Sequence, residues 1–369
     1  MRKYLGMLFA LFLASDASAQ GTGVGVGLDD ILTRRGGGAI LGPSLDFNFS
    51  AGEFFQSGVA GCTNAATCLT VTRTTTNGSA TNLLPASALG QPITSFGNNV
   101  PRPAFSGGLI VEEARTNQLL NATAPVTQTT ASVDCSGSCT LWVNGTGSAT
   151  PSAGTATGCV GFAAATQGAP NTFTCVAGTI IVTVAGSLNA FQLEQGLFGT
   201  SLCTSGASAC SRGADVITAT TGLTFGASIT QLLAGTGESP QTNPTNQIGL
   251  ETDDGTITNR ITLGRASSPG IPFSGIVVAG VAQTVPGQAA GWAQNVLGKF
   301  ALSAAVNNTA TSFNAAAVTT AAANTMPTMS RIVIGSRGDS TLFWNGVIAR
   351  VAVWPTVALT NAQLQIITQ

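Results

Sequence analysis

The chain has 369 residues, 14 basic and 15 acidic side chains, a net charge of −1 and no histidine. Its length asks for two or three domains. Its charge balance leaves no basic patch to hold a phosphate backbone, which excludes a nucleic-acid partner. Without histidine, neither a Ser-His-Asp triad nor a His-ligated zinc can be built. Hydrophobic residues make up 44% of the chain, charged residues only 8%, and there are 46 glycines. That is the composition of a β-rich globular chain with tight turns, and its low charge suits a surface buried in an assembly.

In chain order, Arg2 and Lys3 precede an apolar run at 5–14 (LGMLFALFLA), and Ala17-Ser18-Ala19 follows as an A-x-A cleavage site. This predicts a signal peptide over 1–19 and a secreted mature chain starting at Gln20. The run is too short to cross a bilayer, so no stable membrane insertion is expected after cleavage. Residues 20–43 are Gly-rich and read as a flexible arm, able to add to a neighbouring copy or to stay a free leader. Leu45, Phe47 and Phe49 alternate as in a strand, and 68–74 (CLTVTRT) predicts a second.

The stretch 101–121 (PRPAFSGGLIVEEARTNQLLN) organises what surrounds it. Leu109, Ile110 and Val111 form a short buried strand after a Gly pair. Glu112, Glu113 and Arg115 follow closely and read as an ion-pair latch fixing one domain against the next. A catalytic carboxylate pair is the rival reading. Neighbouring residues of a strand point to opposite faces, so Glu112 and Glu113 are not expected to share a site.

Further on, 179–185 (TIIVTVA) puts Ile180, Val182 and Val184 on one strand face, and 187–194 is a second strand. Strands at 248–252 and 260–264 flank Asp253-Asp254-Gly255, a hairpin-turn signal. Further strands are read at 300–306, 331–335 and 347–354, the last after an Asn345-Gly346 turn. A C-terminal helix opens on Thr360 as N-cap, with Gln363 at N3 and Leu359 and Leu364 as its hydrophobic staple.

The eight cysteines fall into near neighbours: Cys62 with Cys68, Cys135 with Cys139, Cys159 with Cys175, and Cys203 with Cys210. Eight cysteines allow about 105 connectivities. Each near pair brackets loop residues, so sequential disulfides that staple loops are expected. Zinc is disfavoured by the spacing and by the lack of histidine.

Several segments resemble the phage head-spike and tail-fibre family. Pro101, Arg102, Gly108, Leu109, Ile110, Glu112, Glu113, Ala114, Arg115, Thr116, Asn117 and Leu120 follow that family's PRF…GLLIEEARTNLLLNS-like segment. The run 191–196 (FQLEQG) resembles its QLE-x-G strand, Arg212, Ala214 and Asp215 its exit, and 343–365 its FLNGHIRRLAYYPRRLSNAELQ end. The resemblance implies an all-β, multi-domain chain of β-sandwiches with a short C-terminal helix. It also implies an N-terminal β region at 44–118 ending in EEARTN, a carbohydrate-binding-like jelly roll at 119–215, and a concanavalin A-like (LamG-type) sandwich at 216–369.

Chemistry has few places to sit. Asp253 and Asp254 offer loop carboxylates to Ca²⁺, although turn chemistry explains them equally well. Glu194 and Glu251 are isolated on strands. Arg337-Gly338-Asp339 reads as a turn. Trp344 and Trp354 fall in strands and read as core, whereas Trp142 and Trp292 are the surface candidates for stacking on a sugar. The expected function is non-catalytic adhesion or display, extracellular or on a virion surface, with glycans and copies of the chain itself, as a trimer or polymer, for partners. A structural subunit of a filament or particle coat is the alternative. A glycan-active enzyme is a third, which no carboxylate constellation supports.

Overall fold

The computed structural model describes residues 42–219, 222–322 and 324–369. The expected signal peptide and nearly all of the Gly-rich arm lie outside the described residues. The regular elements are nearly all strands, in antiparallel sheets, with one helical turn at Ala65–Cys68 and a C-terminal helix at Asn361–Ile367. The all-β sandwich class is therefore as expected.

Two large sheets face each other. One runs in the order Glu53–Gln56, Leu45–Asn48, Gly346–Trp354, Ser228–Gly237, Gly298–Ala305, Asn308–Phe313 and Thr319–Ala321, with Leu109–Val111 also paired to Gly346–Trp354. The other runs Val281–Ala282, Pro272–Val278, Arg260–Arg265, Gln247–Asp253, Arg331–Ile334, Val216–Ala219 and Leu69–Thr72. Strand alternation sorts the side chains. Phe47, Leu233, Leu250, Leu263, Phe300, Val351 and Val353 turn into the core between the sheets. Leu232, Ala301, Ala352 and Trp354 turn outward and are covered by Leu359, Leu364 and Ile367 of the C-terminal helix. Thr360 and Gln363 form the reciprocal cap that starts this helix, with Gln363 Oε1 accepting from the Thr360 backbone N–H at 2.9 Å.

Strands of the stretch 44–118 are built into the two large sheets. Leu45–Asn48 pairs with Gly346–Trp354, Leu69–Thr72 with Val216–Ala219, and Leu109–Val111 with Gly346–Trp354. These strands are half-buried hydrophobic segments that need a partner sheet, and the C-terminal sandwich supplies it.

The jelly roll inserts between them as two four-stranded sheets. One is ordered Thr157–Val160, Asn171–Gly178, Val133–Gly145, Leu188–Gln195; the other is Ala165–Thr166, Ser148–Ala153, Ile180–Ala185, Gln128–Thr129. Leu141, Val143, Phe173, Ile180, Val182, Phe191 and Leu193 fill its core. The four disulfides pair sequentially, as the spacing predicted. The hairpin at Asp253 is longer than a tight Asp-Gly turn. Asp253 pairs with Arg260, so 254–259 forms the connection, closed by the Asp254 N–H to Asn259 O at 3.3 Å.

Candidate functional site

The jelly roll leaves and rejoins the sandwich over a fully buried ion cluster. Arg73 extends from strand Leu69–Thr72, Arg102 and Glu112 flank Leu109–Val111, and Arg212 ends Cys210–Arg212 just before Asp215. Arg73 Nη1 donates to Asp215 Oδ1 at 2.8 Å, and Arg102 Nη2 donates to Glu112 Oε2 at 2.8 Å and to Asp215 Oδ2 at 2.5 Å. Arg212 lies 3.3 Å from Glu112 and 3.6 Å from Asp215. The jelly-roll side closes the cluster: Ser201 N–H and Oγ each donate to Glu112 at 2.6 Å. Burial alone would push the Glu112 carboxyl up. Arg212, Arg102 and the Ser201 hydroxyl outweigh it and hold Glu112 down at about 2. Nearby, Glu194 accepts from Thr200 N–H at 2.5 Å, Thr200 Oγ1 at 2.7 Å and Gln192 Nε2 at 3.0 Å. Burial still raises it.

Of the three residues read as a latch, Glu112 alone enters this cluster. Glu113 pairs with Arg115 outside it, where both side chains keep some exposure. Arg115 also stacks on Phe198 at 5.1 Å and lies across Gly196, where any Cβ would strike the guanidinium. The sequence reading missed the rest of the cluster. Its signal was five charged residues, four of them at strand ends, in a chain that has few.

Above the cluster runs a groove between jelly roll and sandwich. Two adjoining cavities of about 360 and 430 Å³ share Ala86, Glu238 and Asn295. Thr140, Thr172 and Phe198 line the first from the jelly roll, with Gln294 from the sandwich. Gln91, Phe105 and Ser106 line the second. Glu238 follows the end of strand Ser228–Gly237. Its N–H donates to Asn345 O at 2.8 Å and its carbonyl accepts from Gln294 Nε2 at 2.5 Å. The residue is only 9% exposed. Burial first, then the charges of Glu112 and Glu194, push its carboxyl well above the usual range. Among the described residues it is the one titratable group lining either cavity.

The tryptophans chosen for sugar stacking are corrected. Trp142 is 1% exposed and packs with Leu83, Ala122, Ala190 and Leu202. Its neighbours Leu141 and Val143 fill the jelly-roll core, and the opposite strand face, expected to be open, is covered by the segments around Leu83 and Leu202. Gly199 lets it lie close beneath the groove, because a Cβ there would sit 2.6 Å from the indole. Trp292 is also 1% exposed, in edge contact with Trp344 at 5.0 Å, and its Nε1 donates to Val296 O at 3.2 Å.

The two aspartates read as possible Ca²⁺ ligands are held by protein donors. Asp253 is buried and accepts from Arg331 Nε at 2.8 Å, Arg331 Nη2 at 2.7 Å and Gly255 N–H at 2.9 Å. A guanidinium thus fills the place of a cation. Asp254 is taken up by Thr256 and Asn259, whose hydrogen bonds lower its pKa. Among the described residues no three His, Cys, Asp or Glu side chains converge on a metal position. Arg337 and Asp339 pair with each other, and Gly338 N–H donates to Glu251 Oε1 at 2.7 Å, so this tripeptide is a folded turn.

No protein-family model matches the chain, and no curated protein matches it. Solved structures do. The CBM40 of Ruminococcus gnavus IT-sialidase, bound to α2,3-sialyllactose, is similar over 38% of this chain and 83% of that one, at 16% identity and a TM-score of 0.33. Domain 4 of AbnA, a GH43 extracellular arabinanase from Geobacillus stearothermophilus in complex with arabinotriose, matches over 42% and 73%, at 13% identity and 0.32. The NanB sialidase of Streptococcus pneumoniae, in complex with 2-[(3-chlorobenzyl)ammonio]ethanesulfonate, matches over 39% and 24%, at 14% identity and 0.31. Each likeness covers less than half of this chain.

Proposed function

We propose that the protein is a secreted, non-catalytic binding protein that holds a glycan in the groove between its jelly roll and its large sandwich. The observation that carries this reading is the groove itself. It consists of two adjoining cavities, lined by hydroxyl, amide and apolar groups, with Glu238 in the lining of both. Such a mixture is what a polar, uncharged ligand needs. A non-catalytic role is favoured because glycoside hydrolysis calls for two carboxyls across the scissile bond. Glu238 has no such companion in the lining, since Glu112 and Glu194 are held behind it by Arg, Ser, Thr and Gln donors. The four disulfides support folding in an oxidising, extracytoplasmic compartment.

Isothermal titration of the oxidised chain against a panel of oligosaccharides tests the reading. Ala86 is exposed and lines both cavities. Ala86→Arg should therefore abolish binding while leaving the melting temperature unchanged. Release of shorter sugars from the panel would overturn the non-catalytic part.

A structural role, in a filament or a particle of the kind the phage resemblance implies, is the second reading. The jelly-roll edge strand Thr157–Val160 carries Val160 at 69% exposure, and Val176 on the strand paired with it is 58% exposed. An open apolar edge of this sort can pair with a neighbouring copy. Light scattering across a concentration series decides: polymers lost on Val160→Lys favour assembly, and a monomer at all concentrations removes it.

A further inference from the structure

We propose that the Glu238 carboxyl is the recognition group of the interdomain groove, a hydrogen-bonding acid that selects an uncharged, polyhydroxylated saccharide over a carboxylated one. The inference rests on the glycan-binding reading and sharpens it to a ligand class.

The geometry comes first. Glu238 stands where the two cavities meet and lines both. Its backbone is pinned on either side by Asn345 and Gln294, so the side chain is delivered to one place. More than nine-tenths of the residue is buried, yet among the described residues nothing hydrogen-bonds its carboxyl. Its oxygens are not sealed, unsatisfied polar atoms and so open onto the groove, where solvent is the one partner left to them. A ligand in the groove would take the place of that solvent.

The electrostatics decide which ligand. The charged groups facing Glu238 are Glu112, next to strand Leu109–Val111, Glu194 on strand Leu188–Gln195, and Arg102, with the two acids outweighing the arginine. Arg265, on strand Arg260–Arg265, gives Nη1 to the Ser239 carbonyl at 2.7 Å and keeps Nε and Nη2 without a hydrogen-bond partner among the described residues, but it is not among the charges acting on Glu238. The field at Glu238 therefore favours the protonated acid, as burial does. A protonated carboxyl offers one O–H donor and an acceptor oxygen, and a sugar hydroxyl offers the same pair in return. A uronate or sialate carboxylate would instead bring a further negative charge beside Glu112 and Glu194, in a partly desolvated cleft. Neighbouring Asn295 and Gln294 are neutral amides and do nothing to compensate it.

The test is titration calorimetry on the full oxidised chain with defined probes. Neutral cello-, manno- and xylo-oligosaccharides form one arm, and galacturonate and guluronate oligosaccharides the other. Glu238→Met removes the hydrogen-bonding group at similar size, and Glu238→Gln keeps a donor and an acceptor. Melting temperatures of both variants report on folding. The expected result is binding of a neutral probe, about tenfold weaker in Glu238→Met, with Glu238→Gln between the two. A ligand-free readout runs alongside. The infrared difference between wild type and Glu238→Gln at neutral pH should contain the C=O band of a protonated carboxyl.

Neutral probes that bind Glu238→Met as tightly as wild type would overturn the proposal and leave the groove a glycan site. Equal or tighter binding of the uronates, or a carboxylate band in place of the protonated one, would overturn it as well. If wild type binds neither arm, the glycan reading falls and this inference falls with it.

Discussion

Asp46 and Arg350 lie on paired strands at opposite ends of the chain, and Arg350 Nε donates to Asp46 Oδ1 at 2.8 Å. The first described strand is thus an integral member of the C-terminal sandwich. A fragment of 216–369 alone lacks Leu45–Asn48, Leu69–Thr72 and Leu109–Val111 and leaves the core faces of Val351, Val353 and Ile217 open. It should be insoluble or lack cooperative unfolding, whereas 42–369 should melt in a sharp transition. A well-dispersed amide spectrum from 216–369 would contradict this.

Arg102→Met should be among the most damaging single changes in the molecule. It leaves Glu112 and Asp215 buried with fewer cations to hold them. Removing one partner of a buried ion pair typically costs about 3–5 kcal/mol. Urea unfolding followed by tryptophan fluorescence measures it, and a loss no larger than that of Glu113→Gln at the semi-exposed pair would refute it.

Glu112 also sets an acid limit. Its folded pKa, about 2, lies below the unfolded value. The folded state therefore binds fewer protons there, and the stability it contributes is present above the unfolded value, about 4.3. That contribution is lost as pH falls from there toward 2. Glu112→Gln should be less stable at neutral pH and show a flatter stability curve across this acid window, read as melting temperature against pH.

Glu251 has the opposite sign. Burial, more than the nearby Asp253 charge, pushes its carboxyl to about 8, and Oε2 has no hydrogen-bond partner among the described residues. The folded state holds the proton longer than the unfolded chain does. Stability at this site is full below the unfolded value and declines as pH rises toward 8. Glu251→Gln should leave stability at acid pH little changed and raise it increasingly between about pH 5 and 8. A gain at acid pH only would reverse the assignment.

The disulfides should differ in worth by the chain each one closes. Cys159–Cys175 spans 16 residues and Cys135–Cys139 only 4. Loop-closure entropy gives about 3 kcal/mol for the first and about 2 for the second. Double serine variants compared by denaturant unfolding should keep that order.

What the sequence made legible was local. Ile180, Val182 and Val184 declared their strand by alternation, Thr360 and Gln363 their helix start, and the cysteines their partners by proximity. What it hid was set by distant segments. Nothing near Leu45 says that Val353 lies across from it. Trp142 was read as a surface residue able to stack on a sugar. Its outward face is buried only because the segments around Leu83 and Leu202 fold over it. The ion cluster draws on positions from 73 to 215 and the groove on positions from 84 to 347. Neither leaves a spacing to find.

The jelly roll leaves through Arg115–Asn117 and returns through Cys210–Arg212, two strands hydrogen-bonded to each other. To the sandwich, the whole insertion is therefore a single hairpin whose tip has been enlarged. Bringing its ends together costs little more for a long insert than for a short one. The large sandwich can accordingly be treated as a socket. The unit plugged into it is open to exchange for another of matching end spacing, and since one wall of the groove travels with that unit, each exchange would rewrite what the groove accepts.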